Sequence, residues 1–282
     1  PSPFVSISTI PTSNLQNSIK VIEESKENYD FIVTWSDVFP KKTSMGRGFV
    51  SRSKWINHNE KLSSEALKES MINSEKIFDI FPSKVSWSLL RLIYGQNFTR
   101  VMNTILYNKT KLNYLFSGKK EKVLGFSDYT FMFRKLPGFT DLFKPDGFLH
   151  FQPLIPKKAG VDAVIEVMNI CKFFKYNPLI CGIKSHSKDN NMLSYSGDGY
   201  SIGIDVSKKN LDINNFNMFK KTLFQHTIDC NGKIYLAKDE SLSKEMFQLM
   251  YPRYAEFLRI KKKLDPSTLF SSDMYIRLLK PL

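Results

Sequence analysis

Two stretches of the sequence follow the same order of strand, helix, strand and strand, and this repeat constrains the fold more than any other feature. In the second stretch, apolar residues of 159–174 recur at helical spacing, whereas residues 200–206 alternate apolar and polar as a strand does. In the first, Asn14 is a suitable N-terminal cap for the helix. The predicted strands are 4–10, 31–35, 49–51, 148–155, 178–183, 200–206 and 233–237, and the predicted helices are 14–26, 159–174 and 214–230.

Strand-helix-strand units with hairpins between them predict the α+β class, with ferredoxin-like βαβ repeats. We expect a mixed or antiparallel sheet that carries helices packed on one face and leaves the other face free to cover a ligand. The middle of the chain, 53–144, is less regular. Its predicted elements are a helical stretch at 85–107, a charged loop at 118–123 and a short strand at 131–133.

The chain is basic, with 41 Lys and Arg against 27 Asp and Glu and a net charge of +14. Such a charge fits a nucleic acid, an anionic membrane surface or a phosphorylated substrate, and it also fits a lysine-rich soluble surface. The basic residues are spread along the chain without a nucleic-acid-binding motif, so we do not predict nucleic acid as a partner. No signal-peptide pattern and no apolar run of about 18 residues occurs. We therefore expect a cytoplasmic protein or a peripheral one at the inner membrane.

The three cysteines, Cys171, Cys181 and Cys230, are odd in number and show no Cys-x-x-Cys spacing. This pattern favours a reduced, intracellular setting, with Cys171 and Cys181 as small buried apolar residues. The four histidines show neither His-x-x-x-His nor His-Glu-x-x-His spacing, so the sequence predicts no metal site.

Near the C-terminus, Tyr235 and Lys238 stand three residues apart at the end of a predicted strand. Residues at that spacing point to opposite faces of a strand, so both reach one site only if the strand ends near Ala237 and the chain turns. The residues 239–241 predict such an end, with Ser241 or Ser243 capping the next helix. An isolated Tyr-x-x-Lys is usually a core tyrosine beside a solvated lysine, so the motif depends on its surroundings.

Those surroundings are a helical stretch containing Met250-Tyr251-Pro252-Arg253 and a Leu264-Asp265-Pro266 turn. The block 232–277 resembles the FAD-linked sugar oxidases of the vanillyl-alcohol-oxidase superfamily, and within them the decaprenylphosphoryl-ribose 2-oxidase branch. Residues 31–48, 148–156 and 199–205 are similar to other parts of that family's substrate domain.

The resemblance implies a division into two parts. Residues 1–230 correspond to the family's substrate-binding domain, and 231–282 correspond to the C-terminal return segment of its FAD-binding domain. The N-terminal FAD-binding part has no counterpart here, so we expect the chain to be cut from a longer protein. No glycine-rich phosphate loop occurs in the sequence, and the chain alone is expected to bind FAD weakly or not at all.

The resemblance also implies roles for individual residues. Tyr235 and Lys238 match the catalytic pair beside the flavin ring, and Tyr235, Ala237 and Lys238 match its cofactor contacts. A cation at the flavin N1–C2=O edge stabilises the anionic reduced flavin. His150, Ser201 and Gly203 differ from the commonest family pattern, which leaves the identity of the sugar open. The implied substrate-binding residues are Trp35, His150, Gln152, Ser201 and Gly203.

Three functions remain open. The first is an FAD-dependent oxidoreductase that oxidises a secondary alcohol of a sugar, such as a polyprenyl-phosphate-linked pentose, with a short-chain dehydrogenase as a partner for the keto product and a peripheral membrane contact. The second is an aldonolactone oxidase. The third is a non-catalytic basic module that binds a sugar phosphate or nucleic acid.

Overall fold

A computed structural model describes residues 3–56, 76–77, 81–117, 121–130, 138–179 and 181–280. The short strand predicted at 131–133 lies outside these ranges. The strands are β1 Phe4–Thr12, β2 Phe31–Ser36, β3 Gly48–Trp55, β4 Lys76–Ile77, β5 Phe81–Pro82, β6 Lys122–Gly125, β7 Phe148–Phe151, β8 Pro153–Pro156, β9 Cys181–His186, β10 Gly199–Ile202, β11 Ile204–Ser207 and β12 Lys233–Ile234. The helices are α1 Leu15–Ser25, α2 Ser83–Ile93, α3 Gln96–Ser117, α4 Phe126–Thr130, α5 Gly160–Phe173, α6 Ile213–Asp229, α7 Lys244–Met250, α8 Tyr254–Leu264 and α9 Asp273–Leu278.

The main sheet has eight strands in the order β12-β8-β10-β9-β2-β3-β1-β6, and its registered pairs are antiparallel. The unit β1-α1-β2-β3 places β3 between β1 and β2. The unit β8-α5-β9-β10 places β10 between β8 and β9 in the same way. The two units meet where β9 pairs with β2, so the predicted α+β class and the repeat of strand, helix, strand and strand are confirmed.

The core lies on the face of the sheet that α1, α5 and α6 cover. Alternating residues such as Ile155, Ile183 and Ile202 are almost fully buried there, as are the helix residues Leu15 and Phe219. Full burial of one such side chain stabilises the fold by about 1.5–3 kcal/mol. The side chain of Asn14 accepts a hydrogen bond from the Asn17 N–H at 2.9 Å, so the predicted cap of α1 is present.

Both predicted cysteine positions are buried. Cys171 lies on the inner face of α5, and Cys181 begins β9 beneath it. Burial raises the pKa of the Cys171 thiol to about 12 and raises that of Cys181 as well. Both thiols are therefore neutral and act as small apolar groups in the core.

Two strands predicted to be continuous are each broken in two. The stretch 148–155 divides into β7 and β8, and 200–206 divides into β10 and β11, which pairs with β7 in a separate small sheet. Pro153 has no N–H, so it cannot donate a backbone hydrogen bond at the point where β7 ends and β8 begins. At the matching point, the Gly203 N–H donates to the Gly182 carbonyl of β9 at 2.8 Å. Each break therefore follows from the backbone N–H at that position, which Pro153 lacks and Gly203 directs to β9.

Other boundaries also differ from the sequence prediction. The strand expected at 178–183 begins at Cys181 and continues to His186, and the expected helix at 85–107 is two helices separated at Tyr94–Gly95. Lys122 and Val123, expected in a charged loop, lie in β6, where Val123 pairs with Ser6 of β1. Pairing with β1 makes this charged segment a strand, which its own residues do not predict.

The strand predicted at 233–237 ends at Ile234. Its partner, β8, begins at Pro153 opposite Ile234, so the ladder has no further residues to pair with. The chain then enters a 3₁₀ turn at Leu236–Lys238. Ser243 is the N-cap of α7, and its hydroxyl accepts from the Met246 N–H at 3.2 Å. The turn after Tyr235 therefore comes earlier in the chain, and is tighter, than the turn near Ala237 that the sequence predicts.

The longest described helix is α3, which packs against β1 and β3. Its Asn103 donates to the buried carboxylate of Asp37 at 3.3 Å, and Asp37 also forms an ion pair with Arg47 at 3.0 Å. Several apolar residues of α3 remain exposed, among them Leu115 and Phe116. Neither α3 nor any other helix in the described part of the chain combines the length and the apolar character needed to cross a membrane.

Candidate functional site

Lys238 ends the 3₁₀ turn after β12, and its ammonium group lies against polar side chains of the sheet. Lys238 Nζ donates to Gln152 Oε1 at 2.9 Å and is 3.2 Å from His150 Nε2. Although much of the residue's surface is exposed, partial burial lowers the pKa of Lys238. The positive charge of Lys184 lowers it further, and the Asp205 carboxylate opposes the shift. The structure therefore brings Lys238, His150 and Gln152 together, as the sequence prediction requires.

The break between β7 and β8 holds this turn in place. The Gln152 carbonyl, released from the ladder, accepts from the Tyr235 N–H at 3.1 Å and from the Tyr195 hydroxyl at 2.9 Å. The Tyr195 and Tyr235 rings pack with their centroids 4.7 Å apart. The strand break that the sequence does not predict is thus what anchors the start of the Tyr235–Lys238 turn.

An ion pair whose carboxylate is buried holds the other end of the turn. The Asp239 carboxylate accepts from the Ser241 and Leu242 N–H groups at 3.0 Å each, and it pairs with Arg277 at 3.0 Å. The Asp239 side chain is fully buried. Leaving such a charge without its partner costs several kcal/mol, so Arg277 of α9 fixes the backbone directly after Lys238. The sequence prediction did not include this pair, because 38 residues separate its members.

A directional chain of hydrogen bonds leads from Lys238 into the sheet. A lysine ammonium can only donate, so Gln152 accepts through Oε1 and its amide nitrogen donates to Ser201 Oγ at 3.1 Å. Ser201 Oγ is also 2.8 Å from His186 Nε2. Because Ser201 Oγ accepts from Gln152, its own hydroxyl proton is available to donate to His186 Nε2. Gln152 and Ser201 are 8% and 1% exposed, so each buried polar group is satisfied within the chain.

His150 and Asp205 form a second pair beside Lys238. They stand directly opposite each other in the β7–β11 ladder, and His150 Nδ1 lies 2.5 Å from Asp205 Oδ1. Their neighbours Leu149, Phe151 and Ile204 point into the core, so alternation places the pair on the opposite face. We use the name Lys238 cluster for Lys238, Gln152, Ser201, His150, Asp205 and His186.

Gly203 lies next to this cluster. A Cβ atom at Gly203 would be 3.5 Å from His150 Cε1 and 3.6 Å from the Gly182 carbonyl oxygen, which are ordinary contact distances. The glycine therefore leaves space of about one methyl group beside the His150 ring. Ala237 is exposed in the turn between Tyr235 and Lys238, and Tyr235 is half-buried.

Trp35 lies on the same face of the sheet but farther from Lys238. It pairs with Gly182 in the β2–β9 ladder, is 6% exposed, and stacks on Phe49 with the ring centroids 5.4 Å apart. Strand β9 separates it from Ser201 of β10. Within the described part of the chain, no hydrogen bond or ring contact joins Trp35 to the Lys238 cluster, and its assignment to the sugar pocket stays a prediction.

Two residues of the cluster were not predicted as site residues. Asp205 could be interpreted from the sequence only as a polar residue in an alternating strand, and His186 lies beyond the predicted end of its strand at 183. The face shared by Gly182, Lys184 and His186 in β9 is a signal that would have found His186 once the strand was extended.

Two open clefts lie elsewhere on the molecule. One of about 480 Å³ lies between α5 and α6, beside Lys172 and Phe173, and another of the same volume lies between α1 and α3, beside Asn17 and Tyr107. Neither is lined by a member of the Lys238 cluster. We take the Lys238 cluster as the candidate site because its side chains are of the types that bind an alcohol and move its proton. A concave surface alone does not supply such groups.

The pKa of His186 leads to a prediction about stability. Burial lowers the pKa of this histidine, and the positive charge of Lys184 lowers it further. The unfolded chain therefore takes up a proton at about pH 6.5, before the folded chain does, and stability falls as the pH drops through this window. We expect the urea midpoint to fall between about pH 7.5 and pH 5.5. The fall should be smaller in His186→Gln than in the wild-type protein, and equal falls in the two proteins would contradict the assignment.

Comparison with known proteins agrees with the resemblance that the residues suggested. Residues 156–278 match the family model described as ALO, D-arabinono-1,4-lactone oxidase. The matched region includes Ser201, Asp205, Tyr235 and Lys238. The match agrees with the resemblance to the FAD-linked oxidases, which is confirmed.

A curated relative extends the similarity over nearly the whole chain. The decaprenylphosphoryl-beta-D-ribose oxidase of Mycolicibacterium smegmatis is 24% identical over 271 residues, which cover 95% of this chain and 55% of the relative. The chain is homologous to that oxidase and spans about half of its length. Among solved structures, BBE-like #28 from Arabidopsis thaliana aligns with 98% of this chain and 57% of its own, at 9% identity and a TM-score of 0.42.

Proposed function

We propose that this chain supplies the substrate-binding side and the flavin-facing lysine of an FAD-dependent oxidoreductase that oxidises a secondary alcohol of a sugar. The observation that carries the proposal is the convergence of Lys238, Gln152 and His150 at the turn after β12. A cation, an amide and an imidazole there can bind a hydroxyl, accept its proton and stabilise negative charge. Homology to an oxidase of a sugar derivative supports the same class of reaction.

The residues of the turn fit the ring end of a flavin. An ammonium group has three donors, and Gln152 and His150 account for two of those on Lys238, which leaves one for a ring carbonyl or nitrogen. Half-buried Tyr235 and exposed Ala237 present an open edge beside it. When bound, FAD supplies the two-electron acceptor for a hydride from the carbinol carbon. The chain contains no glycine-rich loop for the ADP half, so the fit is limited to the flavin ring.

The polar residues of the cluster fit a sugar hydroxyl, and the charge around them fits an anionic group. Lys184 is exposed, and its charge influences both Lys238 and His186. We propose a polyprenyl-phosphate-linked pentose as the substrate, since the homologous oxidase is named for decaprenylphosphoryl-beta-D-ribose and the net charge of +14 favours a phosphate.

A second candidate is the oxidation of an aldonolactone. The family model that matches residues 156–278 is described as a D-arabinono-1,4-lactone oxidase, and a lactone carries no phosphate. The two candidates share the hydride transfer and differ in what binds beyond the reacting hydroxyl. Dependence on the phosphate therefore separates them.

An anaerobic titration of the flavin-loaded protein tests the proposal. A prenyl-phosphate pentose is expected to bleach the flavin absorbance, with the free pentose as the control that lacks the phosphate. Bleaching by an aldonolactone instead would select the second candidate. Failure of every sugar lipid and lactone, together with salt-dependent binding of an oligonucleotide, would reject the oxidoreductase and favour the basic binding module.

The division of the chain near residue 230 belongs to the same proposal. Helix α6 ends at Asp229, and Asn231 reverses the chain with a left-handed φ of 55° before β12. This reversal supports a boundary between residues 1–230 and 231–282. The short-chain dehydrogenase partner and the peripheral membrane contact stay predictions.

A further inference from the structure

We propose that His150, positioned by Asp205, is the base that accepts the hydroxyl proton when the substrate alcohol is oxidised. This inference rests on the proposed function and assigns the proton-transfer step within it. The reaction needs such a group, because a secondary alcohol becomes a ketone only if it loses both a hydride and a proton.

The geometry sets the tautomer of His150. Lys238 can only donate, so the imidazole Nε2 that it contacts at 3.2 Å must be unprotonated and acts as the acceptor. The ring proton is then on Nδ1 and donates to Asp205 Oδ1 at 2.5 Å. A carboxylate at Nδ1 orients the ring and stabilises the imidazolium that forms when Nε2 takes a proton.

His150 Nε2 is also placed where a hydroxyl can reach it. The two atoms are only 3.2 Å apart, so an alcohol oxygen about 2.8 Å from each would take the place of the Lys238–Nε2 hydrogen bond, accepting from Lys238 Nζ and donating its proton to Nε2. The missing side chain at Gly203 leaves the Cε1 edge of the ring open. His186 is the other histidine in the cluster, and its Nε2 is already engaged by the Ser201 hydroxyl at 2.8 Å.

The carbinol C–H bond breaks and its electron pair leaves with hydrogen as a hydride to the flavin, which is the two-electron oxidant. The O–H bond breaks, its proton bonds to His150 Nε2, and its electron pair becomes the second bond of the C=O group. Lys238 donates to the oxygen while negative charge develops there.

The charged groups around His150 act in opposite directions. The ammonium of Lys238 from the turn disfavours an imidazolium, whereas Asp205 from β11 favours it. Lys184 from β9 adds a second positive charge close to Lys238. Tyr94, between α2 and α3, is neutral at working pH because burial and then Asp205 raise its pKa to about 12. The carboxylate in contact with the ring is therefore the group that stabilises the imidazolium formed by proton transfer.

The kinetic test compares His150→Gln with the matched variant His226→Gln in the flavin-loaded enzyme. Glutamine can still bond Lys238 but cannot accept the proton, so flavin reduction should slow by about 10²–10⁴-fold, with substrate Kd changed less than about fivefold. The wild-type rate should fall as acid protonates His150, and that acid limb should vanish in His150→Gln. Rates within twofold of wild type, or an unaltered acid limb, would overturn the inference.

A spectroscopic test separates this inference from the proposed function. In the full chain with ¹⁵N-labelled histidine, NMR should show Nδ1 protonated and Nε2 unprotonated for His150 near neutral pH. Asp205→Asn should make His150 protonate at a lower pH, and in the enzyme it should shift the acid limb the same way. An Nε2-protonated tautomer would overturn the inference even if sugars bleach the flavin. Failure of every sugar to bleach wild-type flavin would instead reject the proposed function.

Discussion

Replacing Lys238 by methionine is expected to slow the reduction of the flavin by sugar about 10²–10³-fold, the loss that follows removal of one preorganised donor from an active site. Methionine keeps the unbranched apolar stem and removes the charge. The partners of Lys238 Nζ are Gln152 and His150, and the lysine is exposed enough for water to replace it there. The fold should therefore survive, and the loss should appear in the rate of anaerobic flavin reduction.

Lys262→Met is the matched control for this experiment. Lys262 is exposed on α8, outside the Lys238 cluster, and its replacement by methionine changes charge and size in the same way. We expect its rate of flavin reduction to stay within twofold of wild type. Equal rates for Lys238→Met and Lys262→Met would mean that Lys238 takes no part in the reaction, whatever the cluster looks like.

Replacing Gly232 by alanine is expected to cause a large loss of stability, because this glycine lies where β12 meets β8. An added Cβ would be 2.3 Å from the Leu154 carbonyl oxygen and 3.0 Å from atoms of Thr227. The nearest contact is with backbone, which no side-chain rotation can relieve. We expect a loss of about 3 kcal/mol or more in the free energy of unfolding, at the upper end for overpacking, which lowers the urea midpoint by about 1 M.

The matched control is Gly95→Ala. Gly95 joins α2 to α3, and an added Cβ there would meet no atom within 4 Å. Its effect should stay within about 0.5 kcal/mol. Because β12 leads directly into the Tyr235–Lys238 turn, Gly232→Ala should also disturb the site, whereas Gly95→Ala should not. Similar urea midpoints for the two variants would show that β12 can move away from β8 at little cost.

The repeated unit could be predicted from the sequence because its signals are local. Helix α1 follows from the Asn14 cap and the spacing of Leu15, Ile19 and Ile22, all of which are buried against the sheet. Strand β10 likewise shows its alternation in the sequence. These elements need only their own residues to be recognised, and the structure confirms them within a few residues.

The breaks and ends of strands could not be predicted in the same way. Strand β12 ends at Ile234 because its partner begins at Pro153, more than 80 residues earlier in the sequence. The Gly203 N–H turns to Gly182 of β9, and nothing near Gly203 in the sequence indicates this. Such boundaries depend on where the neighbouring strand begins and ends. The residue pattern of a single strand gives no information about its neighbour.

The candidate site shows the same division. His150, Gln152, Ser201 and Lys238 were predicted from residue type and family pattern, and the structure brings them together in the Lys238 cluster. Asp205 can be assigned to the site only from the β7–β11 register, which places it opposite His150. His186 enters through a hydrogen bond across the main sheet. The roles of all these residues in binding and catalysis stay predictions.

The structure of the flavin-loaded protein measures the central proposal most directly, through the distance from Lys238 Nζ to the N1–C2=O edge of the flavin. We expect hydrogen-bond contact, at about 2.7–3.2 Å, with His150 Nε2 and Gln152 bordering the same space. A flavin ring bound on another face of the sheet, with the Lys238 ammonium more than about 8 Å from the ring and facing solvent, would contradict the proposal, since at that distance screening leaves little electrostatic stabilisation.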